Sequence, residues 1–386
     1  MGRTILVTGA SGALGPHLLA ELLRCEENER IVALLRPGPG WARRVQDLCV
    51  AVSELTRSDS GHRVDVVERL HPIAADIRRD DLGLEGRDRD HLSNQVDVII
   101  HAAANTRFAA PLSDLRDVNV DGTRRVLELA HRCPRLQQFL LVSTTCVAGM
   151  RTGAIAERLE EEPGAFVNVY EQTKWDAERL AAAAALPVRI ARLSTCLGGE
   201  RTGYVHRFGA IHQALRWLVR GLVPMLPAID GSRVDLMATD VAARWIARTA
   251  ACPVERLDVC HVAAGEHAIP IHELVDAAVA HLRDTVSGWT CGQIEPPVMV
   301  DAATFELFER SVRQSGDALF GRVLEGASTF FPALLYPKVY DTARAEQLWG
   351  GPLPLSDWRS TLAKVIDFGC ARDWRCRRHV GAHAHV

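Results

Sequence analysis

The ten cysteines of this 386-residue chain are scattered and form no C-x-x-C pair. That spacing excludes the usual patterns of a disulfide framework or a zinc site, and no metal is expected. Long apolar runs are missing as well. No stretch reaches the ~18 continuous apolar residues of a membrane-spanning helix. There is no dense basic block, and the formal net charge is −3, so nucleic-acid binding is not expected. The charge-free stretch 4–20 carries three glycines and no small-residue cleavage site, which argues against a secretory leader. Internal repeats are absent. With 47% apolar and 24% charged residues the chain reads as a soluble, reduced, cytoplasmic protein. Its length suits two domains, or one large domain with an appendage. Nothing in it speaks to oligomeric state.

What is present begins at residue 4. The apolar run Thr4-Ile5-Leu6-Val7 reads as a buried strand, Gly9 to Gly15 as a turn, and Pro16 to Arg24 as a helix. The first half then alternates strand-like and helix-like segments, the signature of a parallel sheet flanked by helices. Strands are expected at 4–7, 31–35, 69–75, 96–101, 138–142 and 188–193. Helices are expected at 16–24, 41–55, 112–131 and 168–185. After Leu193 the alternation fades into a basic amphipathic helix over 204–221, a Pro-rich turn and mixed elements. The expected fold is α/β: a Rossmann-type doubly wound parallel sheet with a smaller, mostly helical C-terminal region. Residues 1–203 form the nucleotide-binding part, with some later segments returning to it. Residues 204–371 form the substrate-binding region, and 372–386 a flexible tail.

The turn Gly9-Ala10-Ser11-Gly12-Ala13-Leu14-Gly15 joins strand to helix, so its backbone N–H groups and the helix N-terminus can meet a pyrophosphate. Gly9 permits the tight turn, Gly12 the approach to phosphate, and Gly15 close packing of helix on strand. The spacing is G-x-x-G-x-x-G rather than G-x-G-x-x-G. At the end of the second strand an acid would bind a ribose 2′-hydroxyl, whereas arginine accommodates a 2′-phosphate. Here Leu35 runs into Arg36, with Arg43 and Arg44 nearby, which favours NADP(H) over NAD(H). Asp76, followed by Ile77, stands after the third strand where a carboxylate can reach an adenine; the alternative is a cap for the following turn.

Far downstream, Tyr170-x-x-x-Lys174 places a phenol and an ammonium one helical turn apart. A free phenol has a pKa near ~10, and a neighbouring ammonium favours its ionised form. Tyr170 is then the acid/base and Lys174 its tuner and a ribose ligand. Thr144, ending the strand Leu141-Val142-Ser143-Thr144, is the hydroxyl expected to orient the substrate oxygen. Ser143 and Thr145 should point elsewhere if the strand alternation persists.

With these residues the chain resembles the extended short-chain dehydrogenase/reductases over roughly its first 265 residues. The matching motifs are 8–15, His101-Ala102-Ala103-Ala104, Asn119-Val120-Asp121-Gly122-Thr123, Val142-Ser143-Thr144 and Tyr170-Glu171-Gln172-Thr173-Lys174. The resemblance implies a Rossmann domain with a C-terminal substrate domain. It implies the catalytic set Thr144, Tyr170 and Lys174. It also implies a cofactor groove lined by Ala102, Ala103, Ala104, Val142 and Leu193, with Asn119 holding the active-site helix. Finer signs are similar to the branch of fatty acyl-CoA reductases and thioester reductase domains: Leu34-Leu35-Arg36, Asp76 with 81–84, 166–174, 192–203 and, more faintly, Tyr336-Pro337-Lys338-Val339-Tyr340-Asp341. Leu193 stands where the wider family usually has proline, and Ala148 where sugar-nucleotide epimerases commonly have tyrosine.

The expected activity is NADPH-dependent reduction of an acyl thioester, on CoA or a carrier protein, to the aldehyde or alcohol. The alternatives are a ketone or hydroxysteroid-type dehydrogenase, a sugar-nucleotide epimerase, and a non-catalytic NADP-binding sensor. Cys146 and Cys196 fall near the expected site, but hydride can attack a thioester directly and no histidine stands beside either thiol in sequence. His379, His383 and His385 belong to the tail. Trp217, Leu218 and Leu222 read as core positions, with Arg207, Arg216 and Arg220 on the polar side of the same helix.

Overall fold

The computed structural model describes residues 2–60, 66–162, 164–285, 295–372 and 374. Seven parallel strands form the central sheet: β1 (Thr4–Thr8), β2 (Arg30–Leu35), β3 (Leu70–Ala74), β4 (Val98–His101), β5 (Gln138–Thr144), β6 (Val188–Leu193) and β7 (Leu257–Val262). Their order is β7-β6-β5-β4-β1-β2-β3. The chain leaves β1 toward β3, then crosses back to β4. The direction of winding therefore reverses between β1 and β4, opening a crevice at their carboxyl ends.

Both faces of the sheet are covered, which is why its strands are apolar almost throughout. Ile5 and Val7 pack with α1 (Gly15–Arg24), α2 (Trp41–Ser60) and a later helix on one face. Leu6 and Ile99 face the other way, toward α3 (Gly122–His131) and α4 (Val169–Ala183). The C-terminal region supplies α5 (Ala210–Val219), α6 (Thr239–Thr249), α7 (Ile271–Thr285), α8 (Ala302–Ser315), α9 (Ala318–Ala327) and α10 (Trp358–Arg372). Within it, α6 packs beside α1 through Val241, Ala242 and Trp245, and β7 extends the sheet beyond β6. Its own core gathers Leu215, Trp217, Leu218, Leu274, Phe305, Phe331 and Val365, with Leu222 packed against it.

Three local expectations change. The helix expected over 112–131 is interrupted by a π-turn at Asp117–Asp121, where Asn119 turns inward to bond other segments. The helix expected over 204–221 forms only at Ala210–Val219. Gly209 sits at its N-cap and donates its N–H to His212 Nδ1 (3.0 Å), while the Tyr204 hydroxyl pairs with His206 Nδ1 (2.9 Å) in the non-helical approach. The active-site helix starts at Val169, with Asn168 as its cap. Most of the tail, with His379, His383 and His385, lies outside the described residues.

Candidate active site

The glycine turn closes at the end of β1. Gly12 N–H donates to Gly9 O (2.8 Å). Gly9 has φ +74°, and a Cβ there would stand 2.5 Å from the Ala102 carbonyl carbon, so only glycine lets this turn lie against the strand β4 exit. A Cβ on Gly15 would come within 1.9 Å of Ala10 O, the close helix-to-strand approach expected of it. No side chain caps α1 at Leu14, so its first-turn amides, beside Ser11 and Ala13, are available to an anion. This uncapped cradle fits a dinucleotide pyrophosphate.

Arg36 stands exposed at the end of β2. Arg44 shapes the loop around it by donating to Arg36 O (2.9 Å) and Pro39 O (2.6 Å), while Arg43 faces Asp47 at 3.9 Å. Asp76 is committed to Arg78, accepting from Nε (3.0 Å), Nη2 (2.6 Å) and the backbone N–H (3.1 Å), which holds its carboxyl below the usual range. Its Oδ1 caps the following turn. Ile77 packs over Gly122. After β4, Ala102, Ala103 and Ala104 form the opposite wall of the crevice, with Ala103 N–H donating to Thr8 Oγ1 (3.1 Å). Asn119 is a brace: its amide accepts from Asn105 N–H (2.7 Å) and donates to Thr173 Oγ1 (3.0 Å), tying the crevice wall to α4. Leu193, buried at the end of β6, lies in register with Thr144 on β5 and Val262 on β7.

The start of α4 is set by reciprocal capping. Asn168 Oδ1 accepts from Glu171 N–H (3.1 Å), and Glu171 Oε2 accepts from Val167 N–H (2.9 Å). Asn168 Nδ2 also donates to Thr329 O (2.8 Å), far away in sequence. Tyr170, Lys174 and Glu178 then recur one turn apart, all buried. Lys174 Nζ donates to Val142 O (2.9 Å). Burial lowers its pKa to about 8, with Glu178 pulling the other way. Burial also drives the Tyr170 phenol upward, against the pull of Thr144. In this state the phenol is held protonated rather than ionised, the form suited to giving a proton to a developing oxyanion.

Below the pair lies a buried network that the motif reading did not include. Glu178 takes Arg192 through Nε (3.1 Å) and Nη2 (2.8 Å) and accepts from Ser143 Oγ (2.5 Å). Arg192 Nη1 reaches His261 Nε2 (3.2 Å) on β7. Glu178 falls at i+4 from Lys174, so helical spacing was its available signal. Thr8 and His101 form a second such network: Oγ1 to Nδ1 is 2.7 Å, and His101 Nε2 to Thr123 Oγ1 is 3.0 Å. Burial holds His101 neutral, with its pKa down at about 3.

Thr144 and Tyr170 both line a cavity of about 400 Å³. Ser143 turns away as expected, but Thr145 does not. The strand ends at Thr144 and a 3-10 turn begins, so alternation stops there and Thr145 also lines the cavity. The cavity runs into the C-terminal core between Leu215, Leu218, Leu274, Ala278 and Phe331. Aromatic rings mark one wall: Tyr170 to Phe108 at 4.9 Å, Phe108 to Phe330 at 6.3 Å, and Phe330 stacked on Trp217 at 6.1 Å. Cys146 and Cys196 face the cavity, but burial pushes their thiols up to about 11 and about 12, away from thiolate chemistry. Arg207 lies at the rim, whereas Arg216 and Arg220 do not line the cavity. Among the described residues no group of three or more His, Cys, Asp or Glu is placed to hold a metal ion, and no helix is long and apolar enough to cross a membrane.

Comparison with known proteins agrees with this geometry. The family model described as Male sterility protein, an NAD-binding domain, matches residues 7–246. The chain is 26% identical over 273 residues to glycine betaine reductase ATRR of Emericella nidulans, covering 67% of this chain and 21% of that protein. It is 32% identical to isonitrile lipopeptide synthase of Streptomyces coeruleorubidus over 58% of this chain and 15% of that one. Fatty acyl-CoA reductase 1 of Xenopus laevis is 31% identical over 37% of this chain and 28% of its own length. The chain thus spans less than a third of each of these relatives. Among solved structures, the terminal R domain of the myxalamid PKS-NRPS pathway superposes with a TM-score of 0.75 at 27% identity, covering 96% of this chain and 91% of that one. A UDP-glucuronic acid 4-epimerase of Bacillus cereus in complex with NAD shares the fold, with a TM-score of 0.62 at 18% identity. Glycine cradle, buried Tyr170–Lys174 pair and family match converge: the chain belongs to the Male sterility protein family of NAD(P)-binding oxidoreductases, within the extended short-chain dehydrogenase/reductases.

Proposed function

We propose that this protein is an NADPH-dependent reductase of an acyl thioester carried by CoA or a carrier protein, releasing an aldehyde and, by a second round, an alcohol. The observation that carries this reading is the cavity joining Thr144 and Tyr170 to an apolar interior. An acyl chain buried there gains roughly 0.8 kcal/mol per methylene. A UDP-sugar would instead leave its hydroxyls and phosphates against leucine and phenylalanine. Gly9 to Gly15 and the Ala102–Ala104 backbone would hold the dinucleotide, and Arg36 would face the 2′-phosphate of NADPH. Once bound, the cofactor supplies hydride.

The chain's own residues then manage charge and proton. Thr144 and Tyr170 donate to the thioester oxygen as it becomes an oxyanion. The Tyr170 proton passes to that oxygen, giving a neutral hemithioacetal. Its hydroxyl proton then returns to the Tyr170 phenolate as the C–S bond breaks and the carbonyl of the aldehyde forms, and the departing thiolate takes a proton from water. Lys174, protonated below about pH 8, sits one turn away to offset the phenolate left behind. No enzyme nucleophile is needed, in keeping with the protonated Cys146 and Cys196.

The test is NADPH oxidation, followed by absorbance, with decanoyl-CoA, decanal, a cyclic ketone and UDP-glucose, and with NADH in parallel. Consumption with decanoyl-CoA or decanal and a preference for NADPH is expected. NADPH oxidation confined to the ketone, or interconversion of UDP-glucose with NAD⁺ and no net oxidation, read by chromatography, would overturn the reading.

A further inference from the structure

Only three of the chain's 45 basic residues are lysines: Lys174, Lys338 and Lys364. The second lines the cavity that Thr144 and Tyr170 also line, whereas Lys174 does not. Lys338 lies on a short strand, Lys338–Tyr340, paired in parallel with Gly153–Ile155. The segment 330–340 runs along the cavity wall, from Phe330 beside Trp217 to Tyr340 beside Thr145. Where Phe330 belongs to the apolar end, Lys338 stands near Cys146 and Glu171.

The ammonium there is half-buried and incompletely satisfied. Its Nζ donates to Tyr336 O (2.8 Å) and sits 5.6 Å from the Tyr336 ring centroid. No carboxylate of the described residues pairs with it within 4.0 Å. Glu171 is occupied in capping α4, and Asp235 accepts from the N–H groups of Ala264 (2.8 Å) and Gly265 (2.9 Å). An ammonium has three donors, and leaving them unmade away from water is costly. The cavity is therefore bipolar: an apolar end for a chain, and a cationic end seeking an acceptor. The thioester oxygen is already claimed by Thr144 and Tyr170, so the acceptor at Lys338 belongs to another part of the substrate. The cationic end also leads outward. Gly231 lies against Pro337, with 3.9 Å between a Cβ built there and Pro337 Cβ, and exposed Arg233 follows at the rim.

We propose that Lys338 is a positioning residue for the carrier arm, donating a hydrogen bond to an amide carbonyl of the pantetheine portion of the thioester while the acyl chain occupies the apolar end. The assignment rests on the thioester reading above. It gives the cavity a polarity: acyl chain inward, carrier outward past Arg233.

The experiment titrates the NADP⁺-loaded protein, in which no reduction occurs, with decanoyl-CoA and with decanamide. The amide shares the chain and the carbonyl but has no pantetheine arm. Lys338→Met should weaken decanoyl-CoA binding about tenfold, the loss expected for one hydrogen bond to a charged group. Decanamide and NADP⁺ affinities should stay unchanged. Lys338→Gln, which keeps donors without the charge, should lie between and stands in if the methionine variant does not fold. Equal weakening of both ligands would place Lys338 at the acyl carbonyl and overturn the proposal, as would no change in either. If the wild type binds decanamide but neither decanoyl-CoA nor S-decanoyl-pantetheine, the thioester reading itself fails and the assignment falls with it.

Discussion

The two halves of this molecule use buried polar groups in opposite ways. In the nucleotide-binding half, three buried sets of polar side chains beneath the crevice bond to one another. Thr8, His101 and Thr123 form one chain of bonds, Asn119 links Asn105 to Thr173, and Arg192 locks Glu178. The C-terminal half encloses a space among Leu215, Leu218, Leu274 and Phe331, and leaves one ammonium, Lys338, with donors to spare. The first arrangement is closed among protein groups and braces the helix that carries Tyr170. The second is incomplete, and what it lacks describes the substrate. Reaction type resides in the satisfied half, and substrate choice in the unsatisfied one.

That division is open to attack, beginning where the effect should be largest. Tyr170→Phe removes the proton donor and should lower kcat by about 10²–10⁴ with NADPH affinity unchanged. Turnover close to wild type, measured by NADPH oxidation, would dismiss the phenol from the mechanism. Glu178→Gln leaves the Arg192 guanidinium unpaired in a site where the two side chains are 1% and 2% exposed. Breaking such a pair costs roughly 3–5 kcal/mol, so the urea midpoint should fall steeply. An unchanged midpoint would mean that α4 is held by packing alone.

A milder effect is expected from pH. Burial puts the folded pKa of Lys174 at about 8, below its ordinary value, so the ammonium is present below that pH and lost above it. kcat/KM at saturating NADPH should therefore be level on the acid side of about 8 and decline on the alkaline side. A profile level through pH 10 would separate Lys174 from proton handling. The smallest effect should come from the other half. Ala278→Leu adds bulk to the apolar end and should shift preference toward shorter acyl chains by a few-fold in KM while kcat holds. An equal loss for all chain lengths would contradict the division between halves.

Legibility in the sequence follows the same line. Gly9 and Gly15 were readable because a positive φ and a 1.9 Å approach admit no other residue. Tyr170 and Lys174 were readable because helical spacing fixes their face. The sheet was readable because strands covered on both sides must be apolar. The start of α5 was not, since residues 204–209 carry the same apolar and basic mixture as the helix and only the Gly209–His212 bond sets the boundary. The boundary at residue 203 was read with some later segments returning to the first part, but nothing in the sequence named α6 and β7 as segments that lie against it. The cavity was illegible for a different reason. Its walls come from many segments whose leucines, valines and phenylalanines read individually as core. Lys338 stood within a noted motif, but nothing in its neighbourhood indicated that it would face Cys146 and Glu171.

The bond from Asn168 to Thr329 joins two parts of the site that lie far apart in sequence. Asn168 begins the helix that carries Tyr170, and Thr329 precedes the ring of Phe330 on the cavity wall. The start of that helix and the cavity wall thus share one fastening, so a substitution that shifts residue 329 is felt at the cap of the helix that carries Tyr170.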